Sequence, residues 1–185
     1  SHRGFNERQW GEFLRPGEPE ADQRRSARWL FDNLFLGGLG GIKEAMSDLG
    51  VTDATVAAWE ASARNILCIF DDHLRTHDFV LGGRISTADF GLLGPIYAHL
   101  LQDPVPGNML REEFPRVVAW CHRAHDLGGQ PAQQPEEWLP DDEVPEGIVQ
   151  LLQVFFDEFW PVLESTCEVL KSYLQSGAHG RGPLP

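Results

Sequence analysis

Two pairs of histidines have the spacing that ligands on one helix face require. His73 and His77 stand at i, i+4 with Asp71, Asp72 and Asp78 nearby, and His122 and His125 stand at i, i+3, followed by Asp126. Imidazoles spaced this way can share a helix face and bind zinc or a similar ion. Neither pair has an assured third ligand, H-E-x-x-H is absent, and His77 falls where its helix should end. No native metal is therefore expected. The cysteines Cys68, Cys121 and Cys167 are widely spaced, odd in number and without C-x-x-C or zinc-like spacing. Each falls within a helical pattern, where a small buried hydrophobe in a reduced, cytoplasmic setting is the expectation. The cluster Gly37-Gly38-Leu39-Gly40-Gly41 is not G-x-G-x-x-G and follows no strand, so it reads as a helix stop rather than a phosphate cradle. No nucleophile elbow or P-loop occurs.

The most legible local chemistry is a folding device. Ser86 is a good N-cap, and Asp89 lies where the acid of a capping box belongs. The Ser86 hydroxyl can accept from the amide of residue 89, and the Asp89 carboxylate can accept from the amide of Ser86. Ile85 before the cap and Phe90 inside the helix have the spacing of a hydrophobic staple. The helix so started is apolar at Leu92, Leu93, Ile96, Tyr97, Leu100 and Leu101, which predicts a buried central helix.

The elements that must position these residues read as helices throughout, with no strand pattern and no internal repeat. Residues 1–19 hold scattered aromatics (Phe5, Trp10, Phe13) and end in R-P-G-E-P, which predicts an extended linker whose aromatics want a neighbour to pack against. Glu20–Leu36 is helical, with Ala27, Leu30, Phe31, Leu34 and Phe35 on one stripe, and a shorter piece spans Ile42–Asp48. Thr52 or Asp53 is expected to cap a long amphipathic helix ending near Thr76, with Val56, Trp59, Ala63, Ile66, Leu67, Phe70 and Leu74 apolar. Gln102–Asn108 reads as a Pro/Gly-rich loop, with at most one turn at Leu110–Glu113. Pro115 opens a helix through His125, and Gly128–Pro145 reads as a long surface loop. Glu146–Gln175 is strongly periodic, and Pro161 should kink it or split it in two.

The net charge is −13 and uneven, since no Lys or Arg occurs between Arg123 and Lys171. Clustered cations, which nucleic acids and anionic membranes select, are missing, so neither is an expected partner. No apolar run approaches the roughly 20 residues that span a bilayer.

Together, Asp72-x-Leu74, the segment Phe79–Phe90, the apolar helix, the Pro-rich loop and Phe114–Arg123 resemble the C-terminal helical domain of glutathione S-transferases. In that family a segment ending in (I/P/V)-S-x-A-D carries the capping box and staple, and a later P-x-(V/L)-x-x-W opens the next helix. Here these are Ile85-Ser86-Thr87-Ala88-Asp89 and Pro115-Arg116-Val117-Val118-Ala119-Trp120. The resemblance covers about Glu20 to Asp126. It implies an all-α, glutathione S-transferase C-terminal-like helical bundle, here extended by a long C-terminal helix pair. The expected divisions are a linker over 1–19, the helical domain over 20–176 and a flexible tail over 177–185.

The family's thioredoxin-like domain holds glutathione and the Tyr, Ser or Cys that activates its thiol. Nothing here reads as such a unit, so that domain is expected to lie outside this chain, and no catalytic residue is expected within it. By the same resemblance, this domain supplies the wall of a pocket for a small apolar electrophile attacked by glutathione thiolate. The first-helix candidates for substrate binding are Arg25, Arg28, Trp29, Asp32, Asn33 and Leu36. Ile85, Ser86, Asp89 and Phe90 are assigned to capping. A homodimer is the implied assembly. The alternative is a non-catalytic protein-interaction module of the same fold, of the kind that docks in translation complexes.

Overall fold

Pro16 and Pro19 both follow the first apolar segment, so they end a helix rather than forbid one. A computed structural model describes residues 2–33, 49–127 and 138–176, with side chains from Glu7 to Leu30 in the first of these spans. Helix α1 (His2–Leu14) and helix α2 (Glu20–Asn33) pack against each other. This corrects the extended linker expected over 1–19. The Pro19 carbonyl accepts from the amides of Asp22 and Gln23 at 2.9 and 3.1 Å, which starts α2. Close approach of the two helices depends on Gly11, where a Cβ would lie 2.5 Å from the Gln23 carbonyl. Ala27 is fully buried, and the buried Glu7 carboxylate accepts from Arg28 Nε at 3.0 Å. The Leu36 end of the expected helix and the piece at 42–48 lie outside the described residues.

Helix α3 (Val56–His73) begins later than the sequence suggests. Residues 52–55 form a turn in which Thr55 Oγ1 accepts from the Thr52 amide at 2.9 Å and donates to the Gly50 carbonyl at 2.5 Å. The Thr55 hydroxyl therefore organises the turn, and Thr55 rather than Thr52 or Asp53 is the cap residue. The helix ends at His73, short of Thr76, in a turn closed by Arg75 N to Asp72 O.

Helix α4 (Thr87–Leu93) continues as a π-helical stretch, Gly94–Leu100. Pro95 has no N–H to close an α-helical bond back to Gly91, and the register widens. Leu101 N accordingly donates to Ile96 O, five residues back, at 2.8 Å. Helix α5 (Pro104–Glu113) replaces the loop expected over 102–108. Its prolines fall in the first turn, where the missing N–H groups have no intrahelical partner to lose.

Helix α6 (Pro115–Leu127) follows directly. The periodic C-terminal segment is split, as Pro161 suggests, into helix α7 (Glu146–Glu158) and helix α8 (Trp160–Gln175). Among the described residues, extended pairing is confined to isolated bridges joining Gly82 to Phe79 and to Trp138. No described helix is long and apolar enough to cross a membrane.

The core lies between α3, the π-helical stretch, α5 and α6. Leu67, Phe70, Leu110, Val117, Trp120, Cys121 and Ala124 are buried in it, with Ile148 and Leu151 of α7 packed at its edge. Phe70 and Trp120 meet edge-on with ring centroids 4.9 Å apart. Helix α8 touches only α7 among the described helices.

Candidate functional site

The capping acid does more than cap. Asp89 is completely buried. Its Oδ2 accepts from the Ser86 amide and the Ser86 hydroxyl, each at 2.8 Å, and both halves of the capping box are present. Its Oδ1 accepts from the Val80 amide and from Trp120 Nε1, each at 2.9 Å. One carboxylate thus ties the loop before α4, the start of α4 and the centre of α6. A buried charge is tolerated where several donors satisfy its oxygens. With no solvent access, it holds the fold together and cannot meet a substrate. Ile85 packs against the core, while Phe90, its staple partner by spacing, is 48% exposed.

A second acid does parallel work that the sequence reading missed. Asp71 is 5% exposed. Its Oδ1 accepts from the amides of Arg116 and Val117 at 2.9 and 3.2 Å, and Arg116 pairs with its Oδ2 at 2.7 Å. It therefore caps the start of α6 from another helix, where the four leading amides need partners. The available signal was its position: an acid set in the buried stripe Leu67, Phe70, Leu74 of α3.

Two concavities flank this framework. One is a cleft of about 280 Å³ between α1 and the end of the π-helical stretch, where Trp10 and Phe13 face Ala98, His99 and Gln102. Trp10 and Phe13 pack edge-on at 5.9 Å, and Phe13 remains 77% exposed. The other, about 420 Å³, lies between the end of α3 and the start of α7, beside His73, His77, Asp72, Glu146 and Gln150.

The histidines do not converge on a point. The rings of His73 and His77 stack in parallel, 4.6 Å apart. His73 Nε2 is 3.0 Å from the Phe79 carbonyl, so that nitrogen carries the proton. Burial holds the His73 pKa below the ordinary histidine value, partly offset by that hydrogen bond. His122 and His125 instead pack around Tyr97, at 6.2 and 4.7 Å between centroids. Among the described residues, no group of three metal-ligating side chains comes together.

Residues 53–123 match the family model described as glutathione S-transferase, C-terminal domain. The match supports a glutathione S-transferase C-terminal domain over this segment. It runs from the turn before α3 into α6 and contains both buried acids, Ser86 and Trp120. Searches of curated proteins and of solved structures returned no match. Helices α1, α2, α7 and α8 lie outside the matched segment.

Five of the six substrate-binding candidates fall on α2, ahead of the matched segment 53–123. Arg25 is highly exposed and paired with Asp22 at 2.9 Å, and Arg28 is held by Glu7. Trp29 is 65% exposed. Asp32 and Asn33 belong to the last turn of α2, but their side chains lie outside the described residues, as does the whole of Leu36. The described lining of the cleft beside α1 comes from α1 and from residues 98–103, and does not include Arg25, Arg28 or Trp29. Trp10 and Phe13, whose need for a neighbour the sequence signals, are the aromatics that line it.

The buried cysteine is held away from thiol chemistry. Cys121 is buried against Trp120 and the core, and burial pushes its thiol up to about 12, far from a reactive thiolate. Cys68 and Cys167 are exposed.

Proposed function

We propose that this chain is the electrophile-side helical part of a glutathione S-transferase-like protein. In the reaction, a glutathione thiolate forms a carbon–sulfur bond with an apolar electrophile, and the displaced group leaves with its bonding electrons. A separate thioredoxin-like domain outside residues 1–185 would bind glutathione and lower the thiol pKa, which raises the reactive fraction near neutrality. The residues here would supply apolar wall and shape, with no proton or nucleophile of their own.

The observation that carries this reading is the match over 53–123. The aromatic cleft at Trp10 and Phe13 supports it, because about 280 Å³ is just below the usual range for a small-molecule pocket, roughly 300–1,000 Å³. A second domain seated against it would complete the enclosure. Arg25, Arg28, Trp29, Asp32 and Asn33 of α2, together with Leu36, are proposed to reach the electrophile. Assembly as a homodimer and a reducing, cytoplasmic location belong to the same proposal.

A crystal structure of the two-domain protein with a glutathione conjugate tests it. The conjugate's apolar group is expected against α2 or the Trp10–Phe13 cleft. A conjugate contacting neither would sink the assignment. In that protein, Trp29→Ala is expected to raise the KM for electrophile by about tenfold, the usual effect of losing one large apolar contact, and to leave the KM for glutathione unchanged.

The second reading, a non-catalytic interaction module, is favoured by one feature: the apolar residues of α7 and α8 are left largely uncovered. Absence of conjugating activity in the two-domain protein, with glutathione binding also absent, would select it.

A further inference from the structure

Helix α7 rests lightly on α3. It contains no buried residue, and Ile148 and Leu151 are its side chains packed against the core. The two helices run antiparallel and are pinned at both ends. At one end Ser62 Oγ donates to Glu158 Oε2. At the other, Gly147 lies against His73, where a Cβ would stand 2.8 Å from His73 Cβ and 3.2 Å from its Nδ1. Helix α8 touches only α7 among the described helices, so it moves with α7. An element held by so few buried contacts opens ahead of the rest of a fold.

The closest of these contacts is made by a group that titrates. His73 Nε2 donates to the Phe79 carbonyl at 3.0 Å, which leaves the lone pair on Nδ1. Among the described residues Nδ1 has no hydrogen-bond partner. A proton there would face the opening turn of α7, the positive end of a helix, with no acceptor in place. The His77 ring lies parallel at 4.6 Å, so protonation of both rings would stack two cations. Three acids oppose this. Asp72 of α3 and Glu146 of α7 are exposed beside the same cavity, and Asp72 is already paired with Arg75 at 3.0 Å. Asp89 of α4 is engaged by its own donors. From α6, the Arg123 guanidinium lies over the Phe79 ring at 5.5 Å and adds a cation. Burial outweighs the Phe79 hydrogen bond and Asp89, and holds the His73 pKa below its ordinary value. In the released state the ring is solvated and titrates near 6.5, the ordinary value of about that size. Docking is therefore at full strength above that pH and weakens as pH falls below it.

We propose that proton uptake by His73 in mildly acidic solution releases α7, and α8 with it, from the α3–α6 bundle and uncovers the Ile148–Leu151 seam. Both helices lie outside the matched segment 53–123, so the switch does not rest on the transferase reading.

Hydrogen exchange of the full chain, read by mass spectrometry, tests it at about pH 7.5 and about pH 5.5, either side of the histidine range. Labelling times are scaled for the intrinsic pH dependence of exchange. At the lower pH, α7 and α8 are expected to lose protection at least about threefold while α4 and α6 keep theirs. His73→Gln, neutral at both values and still able to donate to Phe79, should abolish the loss. Gly147→Ala, which places a methyl against His73, should leave α7 and α8 unprotected already at the higher pH.

Unchanged protection of α7 and α8 in the native chain overturns the proposal, as does an equal loss in α4 and α6, which would be general acid unfolding. A loss that persists in His73→Gln overturns it too, and one that disappears only in His77→Gln moves the proton to the neighbouring ring. Should His73→Gln lose its helical circular dichroism, Gly147→Ala decides: full protection of α7 in that variant shows that the His73 contact does not hold the helix.

Discussion

The bundle from α3 to α6 and the pair α7–α8 are built from similar helices, and only the first closes on itself. Both have apolar residues at helical spacing. In the first, those residues surround two buried carboxylates, each fully engaged by donors from other segments. In the second, the stripe faces outward and no residue is buried. The difference teaches what a periodic apolar stripe means. It marks a face that wants cover, and the supply of that cover is decided elsewhere. A buried acid with four donors is a stricter device, because it fixes the relative position of every segment that contributes a donor.

The sharpest way to break this comparison is to remove the acid. Asp89→Ala leaves the Val80 amide, the Ser86 amide and the Trp120 indole N–H without their acceptor. A loss of about 3–4 kcal/mol is expected from stranding several buried donors, read by urea unfolding. A loss under about 1 kcal/mol, the scale of an exposed cap, would mean that Asp89 is only a local cap.

A smaller effect is expected from pH. His73 sits at the junction of the two regions, with Gly147 of α7 so close that a Cβ there would lie 2.8 Å from His73 Cβ. Its pKa is depressed in the fold by burial, so the unfolded chain takes up the proton first. This contribution to stability is therefore present above the ordinary histidine pKa of about 6.5 and is lost as pH falls below it. His73→Gln should flatten stability between about pH 7 and 5, the window of an ordinary histidine. An unchanged pH profile in the variant would remove His73 from the junction. The smallest effect belongs to the outward face. Val169→Ser, at a position 53% exposed, should change stability by less than about 0.5 kcal/mol, as surface substitutions do. A larger loss would show that α8 is covered in solution.

Much of this framework was legible in the residue order. The Ser86–Asp89 spacing announced α4, Pro115 announced α6, and Pro161 announced the break between α7 and α8. The misreadings share a cause. At 1–19 and 102–108, proline suggests irregular chain, yet Pro16 and Pro19 follow α1, and Pro104 and Pro106 occupy the first turn of α5. Position relative to a helix end decides what proline does. The late start of α3 was hidden because Thr52, Asp53 and Thr55 are all plausible caps, and the Thr55 hydroxyl bonds chose among them. Of the candidate site, the exposure of Arg25 and Trp29 suits residues of helical spacing off the apolar stripe. The Trp10–Phe13 cleft could be sensed only as a need for a neighbour.

By itself, the sequence determined several local devices: the starts of α4 and α6, the break at Pro161, which faces are apolar, and that Ser86 and Asp89 form a box. These depend on residues a few positions apart, whose geometry one helical turn sets. Tertiary structure alone decided that Asp89 also receives Trp120, that Asp71 caps α6 across 45 positions of chain, and that α8 has one neighbour among the described helices. Those outcomes depend on how helices cross, which the summed packing of the core selects and no single stretch encodes.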